Sequence, residues 1–218
     1  MPKLIDAESK LANARGHISE LVRIQKEMGK GPGNLVKVTG NVFTDKWEFD
    51  SPAAPVPEEA RHRFSDAVGN LRSVLDYVAY DLVVLDTGHP QTRTQFPVLN
   101  DEAQFEGEIR SRKMNGLTAA HLQRIRELQP FNGCDWIARL AVLSNSDKHK
   151  TLVTVARKGN SSAGPTTLTK DRAGKIVKTV RLTLETVIAL DDGRHAIALL
   201  DELCVHVGAV VSEFKKDF

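Results

Sequence analysis

A long apolar stripe limits what this chain can fold into more than any other feature of its sequence. Apolar residues recur every seven positions, with a second set interleaved: Phe64, Leu71, Val78 and Leu85, then Val68, Leu75 and Leu82. This spacing places the side chains along one face of an α-helix, and that face must be buried for the helix to be stable. Pro57 suits a first helical position, and Thr87-Gly88-His89-Pro90 contains stop signals. We therefore predict a helix over about residues 57–86 with other helices packed against it.

Three further segments have helical periodicity and would supply the partners. They cover about residues 3–29, 134–149 and 192–216. The first carries its own heptad stripe and ends at the glycine-rich cluster Gly29-Lys30-Gly31-Pro32-Gly33. Residues 91–133 are predicted to connect the main helices and to contain two short helices, over about 101–112 and 118–128.

Strand character is confined to two regions, about residues 35–50 and 151–190. The first alternates around Gly40-Asn41 and predicts a hairpin. In the second, the turn signal Asp171-Arg172-Ala173-Gly174 precedes an alternating run from Ile176 to Leu184, which predicts another hairpin. For residues 151–157 the pattern fits either a strand or a continuation of the preceding helix.

The predicted fold class is α+β and mainly α. We expect a bundle of four main helices with a small antiparallel β-sheet inserted between helices in the sequence. A length of 218 residues suits one sizeable domain, and the sequence has no long linker between its helical and strand segments. We therefore predict a single domain over residues 1–218.

Composition excludes several classes of protein. The formal net charge of +2 gives no overall electrostatic preference for nucleic acid or membranes. The two cysteines cannot form a disulfide framework, and no apolar run approaches the ~20 residues that span a bilayer. We expect a soluble cytoplasmic protein with no membrane association and no cofactor.

Two polar patches interrupt the apolar helices and are the candidate functional residues. One is the run Ser144-Asn145-Ser146-Asp147-Lys148-His149-Lys150, and the other is the set Asn70, Arg72, Ser73, Asp76 and Tyr77. Polar groups between core-forming segments are costly unless they find partners. Arg72 and Asp76 are four residues apart and can pair on one helix face. Asp147 is expected to reach Arg72 from the other helix, so the two patches are predicted to meet inside the fold.

Other potential ligands and nucleophiles are scattered. A lone His149 beside Asp147 is a poor metal set, and no metal site is predicted. His121, with His17, His89 and His195, is expected on the surface or in a loop. The sequence lacks a phosphate-binding glycine-rich loop, a Gly-x-Ser-x-Gly motif and a His-Glu-x-x-His motif.

The two patches carry a resemblance to a family of uncharacterised bacterial proteins. The matching elements are short: Asn70-Leu71-Arg72-Ser73-Val74-Leu75-Asp76, Phe96-Pro97, Gln129-Pro130 and Leu143-Ser144-Asn145-Ser146-Asp147-Lys148-His149-Lys150. Together they would cover most of the chain, from about residue 5 to 216. The resemblance brings no assigned activity with it.

An arginine in a helical bundle with a histidine five positions later also resembles the HEPN superfamily. Many members of that superfamily are metal-independent ribonucleases that act as dimers, with the arginine and the histidine converging at the dimer interface. Arg72 holds the arginine position here, but Tyr77 stands where the histidine would be. The resemblance therefore implies RNA or another anion near Arg72 and a homodimer, with His149 as a substitute base.

Two functional hypotheses follow. The first is a non-catalytic binding or scaffolding protein, in which Arg72, Asp76, Asn145, Asp147 and His149 form a polar network between helices. Such networks can fix the register of packed helices. The alternative is a HEPN-like ribonuclease or nucleotide-acting protein, in a toxin or phage-defence setting. There Arg72 and His149 are catalytic, while Asn70, Asp76, Tyr77, Asn145, Asp147 and Lys148 bind or orient groups.

Overall fold

Six α-helices account for most of the described chain. The computed structural model describes residues 3–29, 37–41, 46–50, 55–110, 114, 116–146, 152–158, 166–170, 176–180 and 184–218. The helices are α1 Ile5–Met28, α2 Glu58–Thr87, α3 Glu102–Arg110, α4 Ala119–Glu127, α5 Asp135–Ser146 and α6 Ala196–Phe214. The strands are β1 Lys37–Asn41, β2 Lys46–Asp50, β3 Leu152–Lys158, β4 Thr166–Lys170, β5 Ile176–Val180 and β6 Leu184–Leu190. The predicted mainly α character is confirmed.

The chain divides into two compact units. The first, which we call the helical unit, comprises Met1–Glu20, His62–Lys150 and Ala198–Phe218. The second comprises Leu21–Arg61 and Thr151–Ile197 and contains all six strands. The prediction of a single domain over residues 1–218 concerns how these units relate, and it stays a prediction.

The predicted apolar stripe of α2 forms the core of the helical unit. Its members from Phe64 to Leu82 are at most 4% exposed, whereas Leu85 near the helix end is half-buried. Each fully buried side chain of this kind contributes about 1.5–3 kcal/mol relative to an exposed one. The stripe therefore supplies much of the free energy that holds the unit together.

Polar contacts and close approaches fix the neighbours of α2 and α6 within the helical unit. The main-chain nitrogen of Leu4, just before α1, donates to Oδ2 of Asp81 on α2 at 3.1 Å. α6 comes close to α1 at Gly208, where a β-carbon would lie 3.6 Å from Cδ2 of Leu11. α5 meets α6 through Arg139, whose Nη2 bonds Oε1 of Glu202 at 2.5 Å. The helices predicted from periodicity thus pack on one another.

The second unit contains antiparallel strand pairs. β1 pairs with β2, β3 with β6 and β4 with β5. Each ladder has two strands among the described residues, so the single small sheet that we predicted is not shown. Oε1 of Gln25, near the end of α1, accepts a hydrogen bond from the main-chain nitrogen of Ile188 on β6 at 2.9 Å. For residues 151–157 the pattern fitted either a strand or a helix, and the described part of this segment belongs to strand β3, Leu152–Lys158.

Helix α6 begins later than predicted, just before the first residue of its apolar face. We predicted a start near residue 192, but a turn occupies this position and α6 begins at Ala196. Gly193 adopts φ +83°, its nitrogen bonds the carbonyl of Leu190 at 2.9 Å, and Oδ1 of Asp192 accepts from the nitrogen of Arg194 at 3.1 Å. Left-handed glycine and a short-range Asp bond favour a turn over a first helical turn.

Candidate functional site

Arg72 and Asp76 hold the main chain of Phe96 against α2. Nη2 of Arg72 donates to the Phe96 carbonyl at 2.6 Å and lies 3.3 Å from Oδ1 of Asp76. The same carboxylate oxygen accepts the Phe96 N–H at 3.0 Å. We call this arrangement of Arg72, Asp76 and the Phe96 main chain the Phe96 clamp. The predicted pairing of Arg72 with Asp76 is confirmed, and both polar groups of one peptide residue are satisfied by it.

A second side chain secures the same loop a few residues later. Gln129 is fully buried, and its Nε2 donates to the carbonyl of Pro97 at 3.1 Å and to that of Ile125 at 3.0 Å. Its Oε1 accepts from the nitrogen of Leu99 at 3.1 Å. A buried loop needs partners for its peptide groups, and Gln129 and the Phe96 clamp provide them. The main chain of the loop is thus held at Phe96, Pro97 and Leu99.

Burial sets the electrostatics of the clamp. Desolvation raises the pKa of Asp76 above its usual value, while the Arg72 charge and the Phe96 N–H act in the opposite direction. Nη1 of Arg72 is buried and has no hydrogen-bond partner in the described part of the chain. The hydrogen bonds of the Arg72–Asp76 pair therefore replace only part of the hydration that the two charged groups lose on burial.

The raised pKa of Asp76 gives stability a specific pH dependence. The folded state binds a proton more readily than the unfolded state, so the stability of the wild type falls as pH rises through the interval between the two pKa values. Relative to Asp76→Asn, which does not titrate, the wild type is expected to lose stability as pH rises above the unfolded-state pKa of about 3.9, until Asp76 is ionised in the folded state as well. Urea unfolding of both proteins over this range measures the difference. A wild-type advantage that grows with pH would contradict the assignment and show that the Arg72 pair dominates.

A small cavity opens beside the clamp on the same face of α2. It has a volume of about 260 Å³ and is lined by Ser73, Asp76, Tyr77, Tyr80 and Thr94. Tyr80 is 38% exposed, so the cavity is accessible from solvent. Of the sequence-predicted residues, Ser73, Asp76 and Tyr77 line this cavity. Asn70 does not, because its Nδ2 donates to the main-chain carbonyl of Asp66 at 2.7 Å on the exposed side of the helix.

The second predicted patch is described only in part. Asn145 lies on α5 and is exposed. Asp147, Lys148 and His149 lie outside the described residues. The contacts that the structure gives Arg72 are those of the clamp, so a meeting of Arg72 with Asp147 or His149 stays a prediction.

A buried histidine that we expected on the surface is the centre of another polar group. His121 on α4 is only 8% exposed, and its Nδ1 lies 2.8 Å from Oδ2 of Asp86 on α2. That oxygen also accepts the main-chain N–H of Thr118, the N-cap residue of α4, at 2.7 Å. The surface prediction for His121 is wrong because the residue shares a helix face with the fully buried Ile125. This four-residue spacing was the signal in the sequence.

The far side of His121 faces the C-terminal turn. Its Nε2 lies 3.6 Å from Oδ2 of Asp217, which also bonds Nη1 of Arg124 at 2.5 Å. An Asp–His pair serves as a base when its free ring nitrogen can reach a nucleophile. Here a carboxylate faces each ring nitrogen, so the arrangement fixes α4 between α2 and the turn at Lys215–Asp217.

A larger cavity lies between α4, α5 and α6, and we call it the α4–α6 cleft. Its volume is about 470 Å³, and the lining residues are Arg124, Glu127, Leu128, Trp136, His206, Ala209, Val210, Glu213 and Phe214. The rings of Trp136 and His206 stack in parallel, with centroids 5.2 Å apart and an angle of 7° between the planes. Sequence reasoning missed this cleft because its residues come from three helices far apart in the chain.

The cysteines and the acidic residues do not form a reactive or metal centre in the part of the chain that is described. Burial raises the pKa of the Cys134 thiol, which disfavours the reactive thiolate, and Cys204 is buried. No cluster of three or more His, Cys, Asp or Glu side chains could hold a metal ion in these segments. The helices found there are also not long and apolar enough to cross a membrane.

Comparison with known proteins adds no family to this description. The chain matches no protein-family profile, no curated protein and no solved structure. The class that the structure supports is a mainly helical protein whose described residues form a clamped loop, the cavity beside it and the α4–α6 cleft.

Proposed function

We propose that this is a non-catalytic binding and scaffolding protein in which an inter-helix polar network fixes the loop around Phe96 on α2. The network includes Arg72 and Asp76 and extends to Asn145 on α5 and to Asp147 and His149, which follow α5 in the sequence. Its task is to hold the helical unit in one arrangement so that its cavities keep their shape. Buried polar groups can specify such a unique arrangement even where they add little stability.

The observation that carries this proposal is that Arg72 already makes hydrogen bonds to the Phe96 main chain and to Asp76. Its Nη2 is bonded to the Phe96 carbonyl at 2.6 Å, and the Asp76 carboxylate on which it rests accepts the Phe96 N–H. An arginine that binds a phosphate presents its N–H groups to the ligand as a fork. Arg72 would have to release the loop to do so, whereas a scaffolding role uses the contacts as they are.

Replacing Arg72 tests the proposal directly. We expect Arg72→Ala to reduce the free energy of unfolding by about 1–3 kcal/mol, because the Phe96 carbonyl and the half-buried Asp76 carboxylate lose their donor. Arg72→Lys should restore part of this, since an ammonium can replace Nη2, the one nitrogen that makes both contacts, but not the planar guanidinium that positions it. Asn70→Ala, at a half-buried position of α2 whose amide bonds the carbonyl of Asp66 on the same helix, is the matched control and should change stability by about 0.5 kcal/mol or less. Denaturant unfolding gives the values.

The same variants separate scaffolding from the ribonuclease alternative. Purified wild-type protein, Arg72→Ala and His149→Ala are incubated with single-stranded and structured RNA. The proposal expects no cleavage above a mock preparation from any of the three. Cleavage by the wild type that is lost in Arg72→Ala, with an unchanged melting temperature, would overturn the proposal and establish the HEPN-like reading.

We also propose that the strand pairs of the second unit belong to one small antiparallel sheet. The support is that β1 lies alongside β5, which would join the β1–β2 ladder to the β4–β5 ladder. Cross-strand nuclear Overhauser contacts between β1 and β5 backbones would be expected. Their absence, together with contacts inside each ladder, would leave separate hairpins.

A further inference from the structure

The α4–α6 cleft has a flat aromatic side wall. Trp136 is 8% exposed, and its ring is fixed by the parallel stack on His206, whose side chain is 44% exposed. Leu128, Ala209 and Val210 add apolar surface. A concave, mostly apolar site of about 470 Å³ with a few polar groups at its edge is the usual form of a small-molecule site. Its shape and aromatic wall favour a planar ring as occupant.

Arg124, which lines the cleft, is engaged within the protein. Nη1 of Arg124 bonds Oδ2 of Asp217 at 2.5 Å, and Nη2 bonds the main-chain carbonyl of Glu213 at 3.0 Å. The guanidinium also lies 4.2 Å above the ring of Phe214. Because Asp217 balances its charge and these contacts use its donors, Arg124 is poorly placed to recruit an anion.

The other charged groups of the lining are carboxylates. The side chain of Glu213 lies near Arg124 at 3.6 Å and pairs with Lys216. Glu127 is different, because the partner that the structure gives its carboxylate is the neutral amide of Gln123, at 3.0 Å. The edge of the cleft therefore presents hydrogen-bond acceptors and a negative charge on Glu127 that no described cation balances.

We propose that the α4–α6 cleft binds a planar aromatic cation, with its ring against Trp136 and His206 and its N–H groups directed to the Glu127 carboxylate. An aryl amidine is the simplest example, because a flat ring carries a planar set of charged donors that a carboxylate can accept in pairs. The inference deepens the proposed binding function and rests on it, since it assigns that function a site and a ligand class.

Three small molecules of nearly the same shape test the charge preference. Benzamidine is cationic, benzamide neutral and benzoate anionic. Trp47 and Trp136 are the two tryptophans of the chain, so Trp47→Phe leaves Trp136 as the single emitter. Titration of this variant, followed by tryptophan emission and by saturation-transfer NMR of the ligand, is expected to detect benzamidine binding, weaker benzamide binding and no benzoate binding.

Variants of the cleft locate the site. Glu127→Gln keeps the shape of the side chain and is expected to weaken benzamidine binding roughly fivefold to tenfold, while leaving benzamide binding nearly unchanged. His206→Ala should weaken both ligands, because the ring wall is shortened. Asp201→Asn is the matched control, since this exposed residue lies on α6 but does not line the cleft, and the same charge is removed.

Three outcomes of these binding experiments would contradict the inference. Equal binding of benzamidine and benzoate, binding that is unaffected by Glu127→Gln, or no benzamidine binding to the folded protein would overturn the inference. None of these results touches the proposed scaffolding role, which depends on the Arg72 variants and on RNA cleavage. Conversely, ribonuclease activity that requires Arg72 would overturn the scaffolding role while the benzamidine titration still reported on the cleft.

Discussion

Phe96→Ala is expected to destabilise the protein by about 3–5 kcal/mol, the largest single-residue effect that we predict. The ring is fully buried, and the main chain that carries it is held by Arg72 and Asp76. Truncation leaves a cavity whose lining cannot close easily, because the clamp keeps the backbone in place. Denaturant unfolding measures the loss, and an unchanged slope with denaturant would show that the same cooperative unit unfolds.

Phe96→Leu separates the ring from the clamp. Leucine retains most of the apolar volume and the same main-chain bonds, so we expect a cost of about 1.5 kcal/mol or less. Hydrogen exchange at the Phe96 amide adds a local readout, because its N–H is bonded to Asp76. Protection of this amide in Phe96→Leu and its loss in Asp76→Ala are expected. A cost below about 1 kcal/mol for Phe96→Ala would mean that the ring is not part of the core.

The helices were predictable because their evidence is local. The stripe from Phe64 to Leu82 repeats with the period of a helix, and every member is buried. Helix α2 runs over Glu58–Thr87, within a residue of the predicted bounds of about 57–86. The start of α6 was less predictable, because no apolar residue between Leu190 and Ala196 marks a helical face and the turn at Asp192-Gly193 occupies these positions.

The Phe96 clamp was half predictable. The spacing of Arg72 and Asp76 specifies their pairing on one helix face, and this pairing is present at 3.3 Å. Their common partner could not be read from a pattern, because Phe96 lies 24 residues after Arg72 and no periodicity connects a helix to a loop. From the sequence we predicted Asp147 as the partner of Arg72, and Asp147 lies outside the described residues.

The α4–α6 cleft and the environment of His121 depend on tertiary structure throughout. Trp136 and His206 are 70 positions apart by their numbers, and they stack only because α5 packs against α6. His121 and Asp86 are separated by 35 positions. Single-sequence reasoning could place His121 on the face of Ile125 but had no means to identify the carboxylate that compensates its burial.

Because Asp86 bonds both a buried imidazole and the N–H of the N-cap residue of α4, Asp86→Ala is the second substitution with a large expected effect. Its side chain is 6% exposed, and its Oδ2 bonds the N–H of Thr118 at 2.7 Å and faces Nδ1 of His121 at 2.8 Å. Removing it leaves a helix-terminal N–H and a buried imidazole without this acceptor. We expect a loss of roughly 2–4 kcal/mol, since an abandoned buried polar group costs about 1–3 kcal/mol and a lost bond at a helix N-terminus about 1 kcal/mol.

Asp66→Ala provides the matched control for this prediction, because it removes another aspartate of α2 that faces a histidine. Oδ2 of Asp66 lies 3.9 Å from Nδ1 of His17, and the Asp66 side chain is 56% exposed. Water can replace this contact, so the control should cost about 0.5 kcal/mol or less.

A double-mutant cycle of Asp86→Ala with His121→Leu should give a coupling energy of about 1–3 kcal/mol, because an apolar residue no longer needs the acceptor. Additive effects of the two substitutions, or equal costs for Asp86→Ala and Asp66→Ala, would contradict the prediction. They would show that the buried Asp86–His121 contact stabilises the protein no more than an exposed contact does.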